Sequence, residues 1–136
     1  MKRAATHNPD RCWTGLSLVL TNHRGMVELH AAHLGSRRRT DVLSFAYPPQ
    51  PPATTGDTGE VIVNLDRAWE QGLRRQGVAR ELAWYVAHGC LHLAGEEDHT
   101  PALRARMRWI EQQWLRRAAA RGLIEPLAPS AAAPHE

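Results

Sequence analysis

Apolar residues fall along this chain in short runs whose period changes, and each period predicts an element. Leu16-Ser-Leu-Val-Leu20 is strand-sized. Thr21–Gly25 then predicts a turn, and Met26–Leu34 a short helix ended by Gly35. A second strand, Asp41–Ala46, leads into Tyr47-Pro-Pro-Gln-Pro-Pro52 and a small-polar stretch to Thr58, which predicts a loop. A third strand at Gly59–Asn64 gives way to a helix at Leu65–Arg75, with Asp66 near its positive end. The next helix starts at about Ala79. It carries Leu82, Val86 and Leu93 at helical spacing, with Trp84, Tyr85 and Leu91 nearby, which is apolar enough to be largely buried. The last helix opens with Thr100 as N-cap and Pro101 in the first turn, runs to Arg121 and stops at Gly122. Leu103, Met107, Ile110, Trp114 and Leu115 give it an apolar stripe, and Trp109 is assigned to packing.

These elements predict an α+β domain: a small mixed sheet packed against several helices, over residues 16–124. Residues 1–15 are expected to be an irregular N-terminal segment, and the Ala/Pro-rich residues 125–136 a disordered tail. With 136 residues and 43% apolar content the chain can bury one core and is short for two domains. No apolar run approaches the eighteen or so residues of a membrane span, and residues 1–15 lack the apolar stretch of a signal peptide. Cys12 and Cys90 do not make a C-x-x-C pair, and a reduced cytoplasmic setting is expected. The formal charge is +3, and Lys2 is the one lysine among 17 basic residues. That excess is compatible with an RNA partner, and the arginine preference equally with a GC-rich genome.

The chemistry concentrates in His88-Gly-Cys-Leu-His92-Leu-Ala-Gly95-Glu-Glu-Asp98-His99. Histidines four apart stack on one helix face, close enough to share a metal ion. Gly95 can stop the helix, letting the chain swing His99 back as a third ligand. Three imidazoles leave one corner of a tetrahedral Zn2+ site open, the pattern of catalytic rather than structural zinc. A bare H-x-x-x-H also arises by chance on amphipathic helices. The third histidine after a helix-stopping glycine is what adds weight. Cys90 sits about 200° round the helix from His88 and is taken as a small buried apolar residue, not a fourth ligand.

H-G-x-L-H-L-x-G followed by an acidic-His segment resembles the signature of the YbeY family of metal-dependent endoribonucleases and rRNA maturation factors. Thr40-Asp-Val-Leu-Ser-Phe45 resembles the family's T-[ND]-V-L-S-F strand, and Gly59-Glu-Val-Ile-Val63 its G-[DE]-I-x-[IV] strand. Arg80-Glu-Leu82, leading into the histidine helix, also fits, and the matched blocks run in the family's order from about Leu16 to about Leu123. The resemblance implies a metal site on a central helix, one Zn2+ per chain and single-stranded RNA as substrate. It further implies a role in rRNA maturation at the 3′ end of 16S rRNA and in ribosome quality control, with rRNA and the small ribosomal subunit as partners.

Three departures qualify this. The family places its third histidine six residues after the second, where this chain has Asp98, so Asp98 is the alternative third ligand to His99 and otherwise an acceptor orienting an imidazole. The family's arginine before the T-[ND]-V-L-S-F strand aligns with Leu34, and Arg37, Arg38 and Arg39 are the candidates to contact phosphate in its place. Only about fifteen polar residues precede Leu16, so either the start is misassigned or the sheet lacks the family's first strand and helix. No general base stands out among Glu96, Glu97 and Asp98. Two other functions stay open. One is a ribosome-associated RNA-binding assembly factor with a mainly structural zinc. The other is a zinc peptidase, disfavoured because Gly89 stands where H-E-x-x-H needs its glutamate.

Overall fold

The central strand of the sheet is apolar on both sides because helices cover both sides. The computed structural model describes residues 12–34, 41–52 and 55–128. In chain order the elements are β1 (Trp13–Thr21), α1 (His23–Leu34), β2 (Val42–Tyr47), β3 (Asp57–Asn64), α2 (Leu65–Arg74), α3 (Val78–Leu93) and α4 (Pro101–Ala120), closed by a 3-10 turn at Glu125–Leu127. The sheet is mixed, in the order β1-β3-β2, with β3 parallel to β1 and antiparallel to β2. Alternation along β3 sorts its side chains. Val61 and Val63 join Ala68 of α2 and Leu82, Tyr85 and Leu93 of α3 in one core. Ile62 turns the other way and packs with Met26 of α1 and with Leu43 and Phe45 of β2.

The same alternation makes β2 a support for α3. Val42 and Ala46 pack on the α2/α3 side, and between them Ser44 Oγ donates to the carbonyl of Gly89 at 2.9 Å. A Cβ on Gly89 would lie 2.6 Å from Val61 Cγ1 and 3.0 Å from both Ser44 Oγ and Val42 Cγ2. The helix therefore rests on the sheet through its backbone at the residue after His88. Nothing larger fits.

One helix start shows what the apolar pattern leaves out. α1 begins at His23, three residues before the expected Met26, because the Asn22 side chain accepts from the Gly25 amide at 2.8 Å. α2 is capped by Asn64, fully buried at the end of β3, whose Oδ1 accepts from the Arg67 amide. α4 starts as expected, with Thr100 Oγ1 accepting from Leu103 N and Pro101 in the first turn. Its packed face is Met107, Glu111 and Leu115. Trp109, expected to pack, is 66% exposed, because it lies off that i, i+4, i+8 stripe. β1 is an edge strand that leaves Leu16, Leu18, Val19 and Leu20 exposed. Among the described residues no helix is long and apolar enough to cross a membrane. Residues 1–11 of the N-terminal segment, the expected stop at Gly35, the arginines Arg37–Arg39 and residues 129–136 of the tail lie outside the described residues.

Candidate metal centre

His88 and His92 leave α3 on one face, a turn apart. Their rings meet edge to face, with centroids 4.6 Å apart and Nε2 atoms 3.1 Å apart. α3 ends in a Schellman turn: Gly95 adopts φ 98°, its amide donates to His92 O, and the Glu96 amide donates to Leu91 O. The reversal brings Asp98 back over the helix, its Oδ2 lying 3.6 Å from His88 Nε2 and 3.5 Å from His92 Nε2. From α4, Arg104 donates to the Asp98 carbonyl and Arg106 grips Glu96 through two hydrogen bonds, so the loop is held at both ends. The Glu96 carboxylate also holds the Arg106 guanidinium above its ordinary pKa.

Among the described residues, His88, His92 and Asp98 are the one group able to hold a metal ion. The expectation that His99 completes the set gives way in this geometry to its alternative, Asp98. His99 is exposed and pairs with Glu97 at 3.1 Å. Neighbouring side chains on a non-helical backbone point different ways, so the loop that turns Asp98 inward turns His99 outward. Cys90 stays out of the cluster, and burial raises its thiol pKa, as suits a packing residue.

The outer contacts decide what the inner atoms can do. His92 Nδ1 lies 3.0 Å from the Glu96 carbonyl, which only accepts, so that nitrogen carries the proton. In the neutral ring Nε2 is then a lone pair. His88 Nδ1 is buried without a hydrogen bond and faces Glu111 Oε2 at 3.4 Å, a carboxylate that likewise calls for a proton on Nδ1. Two imidazole lone pairs and one carboxylate oxygen thus converge, an arrangement that repels itself unless a cation sits among them. Zinc–ligand bonds of about 2.0–2.2 Å at tetrahedral angles put donors roughly 3.3–3.6 Å apart. The separations of 3.5 and 3.6 Å from Asp98 to the two imidazoles match that spacing, and the 3.1 Å between the imidazoles falls just short of it. A carbonyl and a carboxylate behind the two imidazoles are the partners metal-bound histidines usually have.

Glu111 is the residue that sequence reasoning missed. It is 3% exposed and also accepts from the Trp84 indole. The available signal was a glutamate standing between Met107 and Leu115 on the buried stripe of α4. The metal pocket, about 280 Å³, is walled by Asp41, Val42, Trp84 and Tyr85 besides the three donors. Asp41 is already paired with Arg67 at 2.9 Å, and burial keeps the Tyr85 phenol well above its ordinary pKa and so neutral. Glu96 and Glu97 are committed to Arg106 and His99.

Comparisons with known proteins give the family. A family model described as Endoribonuclease YbeY matches residues 2–119. The endoribonuclease YbeY of Salinibacter ruber is 41% identical over 108 residues, covering 75% of this chain and 69% of that protein. That of Elusimicrobium minutum is 36% identical over 94 residues, covering 68% of this chain and 66% of that protein. This chain thus spans about two thirds of the length of these relatives. The solution structure of a Thermotoga maritima protein, 23% identical, superposes with a TM-score of 0.57 over 88% of this chain and 78% of that one, a likeness of fold.

Proposed function

This chain belongs to the YbeY family of endoribonucleases, which supports a nuclease role in rRNA processing, and from that premise we propose a zinc-dependent enzyme that cuts single-stranded RNA. The observation that carries the proposal is the convergence of His88 Nε2, His92 Nε2 and Asp98 Oδ2, each backed from behind or by the loop. A Zn2+ held there supplies Lewis-acid stabilisation of phosphoryl charge and acidifies nearby water. The two imidazoles and Asp98 would hold it, Glu111 and the Glu96 carbonyl fix the rings, and neutral Tyr85 offers a hydroxyl rather than a base. Arg37, Arg38 and Arg39 remain proposed phosphate contacts on sequence grounds alone. The proposed setting is the cytoplasm, with the 3′ end of 16S rRNA on the small ribosomal subunit as target and ribosome quality control as consequence. The domain is proposed to span residues 16–124 as the sequence implies, widened to Trp13 by β1 and to Leu127 by the closing 3-10 turn.

A peptidase reading loses its base on steric grounds. Any side chain at position 89 would be driven into Val61, Ser44 and Val42, on the sheet side of the helix, where no glutamate fits. The test is cleavage of a single-stranded rRNA 3′ fragment by zinc-loaded protein, with zinc per chain measured alongside. His88→Ala should lose both the zinc and the cleavage. Full zinc in that variant would sink the site, and tight RNA binding without metal-dependent cleavage by the parent would favour an assembly factor with structural zinc.

A further inference from the structure

We propose that a second cavity, which shares Trp84 with the metal pocket, is a nucleotide-binding subsite for the RNA strand being cut; this deepens the ribonuclease reading and rests on it. The cavity, about 420 Å³, lies between the α2–α3 connection, α3 and α4 and is lined by Arg75, Arg80, Trp84, Arg108 and Gln112 among others. Its volume falls in the ordinary range of about 300–1,000 Å³ for small-ligand sites. Its charge is unbalanced. Arg75 is paired with the buried carboxylate of Glu81 at 2.7 Å, whereas the partner of Arg80 is the neutral amide of Gln112, and Arg108 has no ion pair among the described residues. Two uncompensated guanidiniums in one concavity suit phosphodiester oxygens, which they grip as a bidentate fork.

The aromatic side of the cavity separates a nucleic acid from an acidic peptide. The Arg75 guanidinium sits over the Trp84 ring, 5.7 Å from its centroid, a cation–π contact. Bases stack on aromatic rings and on arginine planes alike, and such stacking tolerates any sequence. Gln76 and Gln112 add amides able to meet a base edge. Trp84 lines both cavities, so a strand with one phosphodiester at the metal centre can set a neighbouring nucleotide here. Through its indole bond to Glu111, which faces His88 Nδ1, the same tryptophan ties the subsite to the support of a metal ligand.

The test is fluorescence anisotropy of a labelled single-stranded RNA twelve-mer on the full zinc-loaded chain across a salt series. Arg80→Gln with Arg108→Gln should weaken binding at least about ten-fold. It should also flatten the slope of log K against log salt by about 1.4, two phosphates at about 0.7 each for a single strand. Zinc content should be unchanged. Arg108→Glu, on an exposed helix face, provides an independent variant and should weaken binding as well. Parent-like affinity and slope in these variants, with metal-dependent cleavage retained, would remove the subsite and leave the metal-centre reading intact. His88→Ala should lose zinc and cleavage whatever the state of this cavity, which tells failure of the two ideas apart. A labelled deca-glutamate bound as tightly as the RNA at equal salt would overturn the nucleotide assignment in favour of an acidic protein partner.

Discussion

Replacing Gly89 by alanine sets two effects of opposite sign against each other. Within a helix, Gly→Ala ordinarily stabilises by about 1 kcal/mol. Here the new Cβ would stand 2.6 Å from Val61 Cγ1, a stiff β-branched side chain only 1% exposed. Ordinary carbon contacts lie at about 3.5–4.0 Å, so α3 must lift from the sheet by roughly 1 Å. Overpacking of that kind costs about 1–3 kcal/mol. The lift also strains the 2.9 Å hydrogen bond from Ser44 to the Gly89 carbonyl, a further loss of about 0.5–1.5 kcal/mol. The balance is a net destabilisation of roughly 1–3 kcal/mol, or a fall in Tm of roughly 3–10 °C for a chain this size. Because His88 is the neighbouring residue, zinc affinity should fall too. Thermal melts of the zinc-free protein followed by circular dichroism give the first number, and competition with a chromophoric chelator gives the second. A variant that melts at or above the parent would refute the close approach of helix and sheet and show that helix propensity decides.

Two further outcomes follow from the geometry of the centre. Asp98→Asn should lose more zinc than His99→Ala in equilibrium dialysis, and the opposite order would mean that the loop after Gly95 turns the other way when metal is bound. Glu111→Gln keeps an acceptor for the Trp84 indole but removes the charge facing His88 Nδ1; titration should find zinc bound about 10–100-fold more weakly, and unchanged affinity would deny Glu111 that role.

The order of elements was legible because each apolar run has a period that only one element satisfies, and β2 shows this at single-residue detail. In Val42-Leu-Ser-Phe-Ala46 the alternation already assigns Val42, Ser44 and Ala46 to one face and Leu43 and Phe45 to the other. What stayed hidden depends on contacts between distant segments. The helix start at His23 is the local exception: it follows from the Asn22 side chain, which an apolar pattern ignores, whereas Leu65 opens its helix where expected. On the face of α3 the pair His88 and His92 was evident from spacing alone. The choice between Asp98 and His99 was not, since it depends on the hand of the turn at Gly95 and on grips from Arg104 and Arg106 in the next helix. Glu111 was invisible for the same reason: its role exists only once α4 is laid across α3.

All three donors assigned to the metal come from one short stretch, His88 to Asp98, rather than from separate parts of the fold. The unfolded chain therefore keeps the same donors on the same short tether and retains some affinity for zinc. A ligand stabilises a fold by RT ln(1 + [L]/Kd) only when the unfolded state does not bind it. For this chain, the gain in melting free energy from added zinc will understate how tightly the native site holds its ion, and a dissociation constant taken from thermal shifts would come out too weak.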